Sequence, residues 1–252
     1  GVVTSVSLIA NLEGFDDAVG LLRTLPPVDV GLHLNLSEGR PVGEAHGALV
    51  GADGCFPGKA EARRRAMSGE LQPGEIASEC NSQWVRIFHA VGRVTHMDGH
   101  QHIHVYGTVA ETLSTFLHPS HWTRLPFEPD NSSEDLTPAR RTQIEEYRSL
   151  AEVARGTFAA AGLRVADHFR GLALSGSMTP ERLAALVREL PEGTTELMVH
   201  PGRCRDPQGQ LAAGSAFDCA EREAELDALL SPQFRSALDE AGVELVRRGQ
   251  VA

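Results

Sequence analysis

Apolar and polar residues alternate in VTSVSLIAN (3–11), with Val6, Leu8 and Ala10 on one face and Ser5 and Ser7 on the other. A period of two predicts a strand. FDDAVGLLRTL (15–25) changes to helical spacing, and VGLHLNL (30–36) alternates again. In that second strand Val30, Leu32, Leu34 and Leu36 share one face, and Gly31, His33 and Asn35 the other. Residues 37–58 are rich in Gly and Pro and read as a long loop. A helix is predicted from about Pro73 to Ala90, stopped by Gly92, and VTHMD (94–98) follows as a strand. Thr137-Pro138, Thr179-Pro180 and Ser231-Pro232 each pair a capping residue with proline at the first helical position. Their helices are expected to end at Gly162, near Leu190 and at Gly242, with further strands at 194–200 and 243–246.

Strands alternating with helices predict an α/β fold with a largely parallel sheet, doubly wound or closed into a barrel. No GxGxxG or GxxxxGK[ST] follows any strand, which removes support from the nucleotide-binding version and favours a barrel. A length of 252 residues suits one large domain, read here as residues 1–252.

Composition narrows the function classes. A formal net charge of −11 argues against a polyanionic partner, and the run Arg63-Arg64-Arg65 is too short to override it, so nucleic-acid binding is not expected. No apolar run approaches the roughly 20 residues a bilayer needs, and no signal-peptide pattern opens the chain, so neither membrane nor export is expected. Cys55, Cys80, Cys204 and Cys219 show no CxxC spacing and read as the reduced thiols of a cytoplasmic protein. Cys204 and Cys219, 15 apart, are the two that suggest a pairing or a metal role.

The chemistry concentrates in HMDGHQHIH (96–104). In an extended segment His96, Asp98 and His100 would face the same way. Three titratable groups on one strand face are costly to bury unless hydrogen-bonded or bound to a metal. His33 stands on a strand beside Asn35, and His200 in ELMVHPG ends a third strand ahead of a Pro-Gly turn. His46, His89, His118, His121 and His168 have no such placement. Two readings of the stretch stay open on the residues alone. In one, HQH or HIH is the HxH of a metal-dependent amidohydrolase or phosphoesterase; the first of these usually also uses a modified lysine, and Lys59 is the sole lysine. In the other, His33 and one histidine of the stretch join a carboxylate in a mononuclear site with positions left for water and substrate.

TSVSLIAN, GLHLNLSEGRPVG, THMDGHQHIHV, TRLPFE and ELMVHPG together resemble the YdjC-type carbohydrate deacetylases, the animal members above all, over nearly the whole chain and in the family's order. The resemblance implies an irregular (β/α) barrel related to polysaccharide deacetylases. It implies hydrolysis of an N-acetyl group on an amino sugar or short oligosaccharide with one divalent metal ion, Mg2+ or alternatively Zn2+. By the same resemblance His33 and His100 are the metal-binding histidines and His200 protonates the leaving amine. His96, Asp98, Asn35 and Arg124 would support the ligands or contact substrate, and His102 and His104 would be structural. Family members also carry an ADDFG-like strand motif, whose aspartates serve as general base and ligand, ahead of the strand that opens this chain. The expectation is therefore a chain without the first strand and helix, and a catalytically inactive sugar- or protein-binding barrel is the alternative function. A homodimer is left open.

Overall fold

The structure, a computed structural model, describes residues 1–44, 47–129, 136–203 and 219–251. His46 and Cys204 lie outside them, and with Cys204 the hint of a Cys204–Cys219 pairing. The chain forms two compact units. One comprises Val3–Pro126, Glu146–Val165 and Arg247–Ala252, and the other Gly1–Val2, Phe127–Glu145 and Ala166–Val246.

The first unit is built from β1 (Ser5–Leu8), α1 (Phe15–Leu22), β2 (Asp29–Leu34), α2 (Lys59–Ser68), α3 (Pro73–Val91), β3 (His96–Gly99), α4 (Gly107–Phe116) and β4 (Trp122–Thr123). Residues from Glu146 onward of α5 (Pro138–Ala160) also belong to it. Its four strands pair in parallel in the order β1-β2-β3-β4. Helices connect these parallel strands; β3 and β4 are buried throughout, whereas β1 is half-buried up to Leu8. Leu32, Leu34 and Met97 are fully buried, as are Ile76, Cys80 and Ile87 on one side of α3. Pro73 opens α3 where its missing N–H costs nothing, and left-handed Gly92 closes it by donating to the Phe88 carbonyl at 2.7 Å. Burial pushes the Cys80 thiol up and keeps it protonated.

The second unit contains β5 (His168–Arg170), α6 (Pro180–Arg188), β6 (Thr195–Leu197), α7 (Cys219–Leu230) and α8 (Pro232–Glu240), with β5 parallel to β6. Leu183 and Val187 of α6 share a core with Ala228 and Leu229 of α7 and Phe234 and Leu238 of α8. The predicted caps are in place: Thr179 Oγ1 accepts from the Arg182 amide at 3.3 Å, and Ser231 Oγ from the Phe234 amide at 3.1 Å.

Two strand predictions differ. Residues 243–246 form no strand. Gly242 turns left-handed after α8, and its amide and that of Val243 donate back to Asp239 and Leu238. This is a Schellman closure, and it consumes the valine that made the segment look extended. The strand predicted over 194–200 stops at Leu197, three residues before His200. The sequence reading also passed over α4, β5 and α7. Among the described residues no helix is long and apolar enough to cross a membrane.

Candidate active site

Strand register assembles the site. β1, β2 and β3 align Ser7 with Gly31 and Gly31 with His96; two residues further along β2 and β3, His33 pairs with Asp98. Side chains two apart share a face, so both rows project together. Gly31 is the hole in the first row. A Cβ there would sit 2.3 Å from His96 Cδ2, because the imidazole lies across the glycine to reach Ser7. Ser7 Oγ gives its single proton to Asp98 Oδ2 at 3.0 Å, so its 3.0 Å contact with His96 Nε2 has the imidazole N–H donating. Thr95 Oγ1 lies 2.9 Å from the other ring nitrogen.

Asp98 is the hub. Its side chain is 1% exposed, with Oδ1 2.6 Å from His33 Nδ1 and Oδ2 2.7 Å from Arg124 Nη2. Burial alone would raise this carboxyl. The Arg124 guanidinium and then His33 outweigh burial and hold it well below the usual carboxylate range. An ionised carboxylate only accepts hydrogen bonds, so His33 Nδ1 donates to it and Nε2 is the ring nitrogen not engaged with Asp98. Arg124 follows β4, one residue beyond the Met97–Thr123 pair, which brings it to Asp98.

His100 arrives by a different route from the one its spacing predicted. β3 ends at Gly99, and His100 opens a short 3-10 segment, His100–Val105, in which Gln101 and His102 take left-handed backbone angles. His100 is therefore not the third member of an extended His96–Asp98–His100 face. Its ring meets His33 edge to face with centroids 5.4 Å apart, and its Nε2 lies 3.3 Å from Glu38 Oε1. Burial, and next the charge of His33, push its pKa down against the opposing pull of Glu38. His102 and His104 turn inward. His104 donates to the Arg124 carbonyl at 2.9 Å, and burial lowers its pKa to about 4. His102 packs edge to face on Tyr147 at 4.6 Å, and burial and Arg124 drive its pKa well down. Both are neutral interior groups at physiological pH.

Asn35 is also placed differently from the strand reading. β2 stops at Leu34, and the fully buried amide of Asn35 folds the following loop. Its Oδ1 accepts from the Ser37 and Glu38 amides at 3.0 and 3.1 Å, while Nδ2 donates to Asn11 Oδ1 at 2.9 Å and the Glu38 carbonyl at 2.8 Å. The result is to present Glu38 to His100. Helix α3 anchors the same loop: Gln83 Oε1 accepts from the Asn35 amide at 3.1 Å and Gln83 Nε2 donates to its carbonyl at 2.7 Å. One turn earlier, Glu79 accepts from the Val42 and Gly43 amides, each at 2.9 Å. Ser7 and Glu38 are the site residues that sequence reasoning missed. The polar face of β1 and the Asn-x-x-Glu spacing at 35–38, which suits an Asx turn, were the available signals.

His200 belongs to the other unit. Its backbone amide donates to Glu225 Oε2 at 2.6 Å, and Glu225 Oε1 accepts from Gly176 at 3.1 Å, so a buried carboxylate fixes the segment after β6.

The donor chemistry can be compared with what a divalent ion requires. His33, with Nδ1 tied to a carboxylate and Nε2 free to coordinate, has the arrangement of a metal-ligating histidine. His100 stands beside it as a second imidazole. Among the described residues no group of three or more His, Cys, Asp or Glu side chains is assembled for an ion. The pair therefore fits a metal as two of its donors.

Known proteins resemble this chain along its length. A carbohydrate deacetylase of Mus musculus is 38% identical, with 97% of this chain and 84% of that protein aligned. The Homo sapiens carbohydrate deacetylase is 36% identical over 97% of this chain and 81% of its own length. A chitooligosaccharide deacetylase of Serratia marcescens is 30% identical over 96% and 85%. A crystal structure from Enterococcus faecalis, of a protein assigned to cellobiose-phosphate cleavage, superposes with a TM-score of 0.74 over 99% of this chain and 88% of that one; at 20% identity it speaks for the α/β fold alone. With residues 1–240 matching the YdjC-like protein family as well, this chain belongs to that family.

Proposed function

We propose that the protein is a carbohydrate deacetylase that hydrolyses N-acetyl groups on amino sugars or short oligosaccharides. The observation that carries this reading is the pair of imidazoles, His33 and His100, 5.4 Å apart beside an ionised buried carboxylate. It is supported by relatives named for that activity at up to 38% identity over 97% of the chain. A divalent ion, Mg2+ or Zn2+, held by His33 Nε2 and His100 would supply polarisation of the amide carbonyl.

The chain's own groups do the rest. Asp98 holds His33 in one tautomer and one orientation, so its lone pair is delivered without reorganisation. Arg124 keeps Asp98 ionised at its other oxygen, and the Ser7 hydroxyl, itself bonded to His96, holds that carboxylate from the β1 side. Glu38 orients His100. Amide cleavage also needs a proton for the departing amine, because an amine anion is a poor leaving group.

The test is acetate release from N-acetylated chito-oligosaccharides by the protein and by His100→Ala. The variant should be slower by at least about tenfold, the lower range for loss of a group that serves a metal site. Equal rates would overturn the assignment.

A further inference from the structure

Gln101 (φ 54°, ψ 26°) and His102 (φ 58°, ψ 26°) are the two non-glycine residues with positive φ among those described, and they are consecutive. L-residues avoid this region because Cβ crowds the following carbonyl, and a pair of them persists only where the surroundings over-determine the conformation. Here the surroundings grip the turn from both ends. On the backbone side, the Gln101 carbonyl accepts from the Tyr147 hydroxyl at 3.1 Å and from Arg63 Nη2 at 3.5 Å. Arg63 also donates to the Tyr147 hydroxyl, and its guanidinium lies 5.1 Å from the centre of the Tyr147 ring and 6.0 Å from that of Tyr106. Glu146 completes the cage: it accepts from the Tyr106 hydroxyl at 2.7 Å and faces Arg63 at 3.9 Å. On the side-chain side, Gln101 Nε2 donates to Glu38 Oε1 at 2.8 Å, the same oxygen that faces His100 Nε2.

The position of the strain matters. It falls directly after His100 and reverses the chain there, so that His100 stays half-buried beside His33 while His102 enters the interior against Tyr147. A relaxed backbone at this point would redirect the residue on either side.

We propose that Gln101, clamped between Glu38 and the Arg63–Tyr147 pair, is a positioning residue that sets the imidazole of His100 for the reaction, and that its left-handed backbone is strain retained for that purpose. This rests on the deacetylase reading for its kinetic arm only.

Gln101→Gly removes the strain at residue 101 and the amide that reaches Glu38, and Tyr147→Phe removes the hydroxyl that bonds the Gln101 carbonyl and accepts from Arg63. Each variant should lower kcat about tenfold with KM changed less than twofold, and each should shift the His100 imidazole nitrogen signals in 15N–1H correlation spectra. Gln101→Gly should melt at or above the wild-type temperature, which a purely structural prop would not do. Unchanged rates and unchanged His100 signals in both variants would overturn the proposal, as would a Gln101→Gly protein that melts several degrees lower. If the wild-type protein releases no acetate, the deacetylase reading fails, and the His100 signals of the two variants still decide the positioning role.

Discussion

Asp98→Asn is expected to slow acetate release by about 100-fold, the upper range for losing a group that orients a ligating histidine. It should also cost about 3–5 kcal/mol of stability, as when one partner of a buried ion pair is removed. Both effects come from one atom-level change. The asparagine amide offers one oxygen where the carboxylate offers two. Either His33 Nδ1 or the Arg124–Ser7 pair then meets an N–H, and Arg124, itself buried, loses its ion pair with Asp98. Urea unfolding at pH 7 measures the second effect, and a variant as stable as the wild type would contradict this account of the hub. The pH dependence has a definite sign. Because folding holds the Asp98 carboxyl below its unfolded value of about 3.9, its contribution is present above that value and is lost as pH falls toward the folded one. The stability gap between wild type and Asp98→Asn should therefore narrow as pH falls below about 3.9.

Gly31→Ala is the second large effect, and it acts by volume alone. The added methyl would fall 2.3–2.6 Å from three atoms of the His96 ring. That ring is 1% exposed and held by Ser7 and Thr95 on its two nitrogens, so it has nowhere to move without breaking those bonds. Overpacking of this kind costs about 1–3 kcal/mol, and the lost contact to Ser7 adds to it. Chemical denaturation of the single variant and of Gly31→Ala/His96→Ala makes the test specific. With the ring gone the methyl has space, so the second change should cost much less in the alanine-31 background than in the wild type. Additive costs would show that the ring and the glycine do not compete for the same space.

These residues also mark where sequence reading stops. The helices beginning at Pro73, Pro180 and Pro232 were legible because capping and periodicity are local, confined to a few neighbouring residues. His33 and Asp98 were legible as polar residues on strand faces. Their 2.6 Å bond was not, because it depends on a parallel register between segments 65 residues apart. Gly31 read only as a neighbour of His33 and Asn35 on one strand face; the register shows that its missing side chain leaves room for His96. The spacing of His96, Asp98 and His100 predicted one face, and the prediction failed at His100 because two left-handed residues next to it are invisible to a period-two count. Asn35 failed for a related reason. The strand ended two residues earlier than the alternation implied, and an asparagine just past a strand end prefers to fold its own turn.

The grip of α3 on the loop after β2 reaches further than the site. Gln83 meets Asn35 through both its amide and its carbonyl, as a neighbouring strand would, and Glu79 holds the Val42 and Gly43 amides one helical turn away. Those amides have no ladder or helix of their own, yet they can exchange with solvent only when side chains of a helix some forty residues later let go. In thermodynamic terms the loop that carries Glu38 is an outlying part of α3, and it opens on the timescale of that helix.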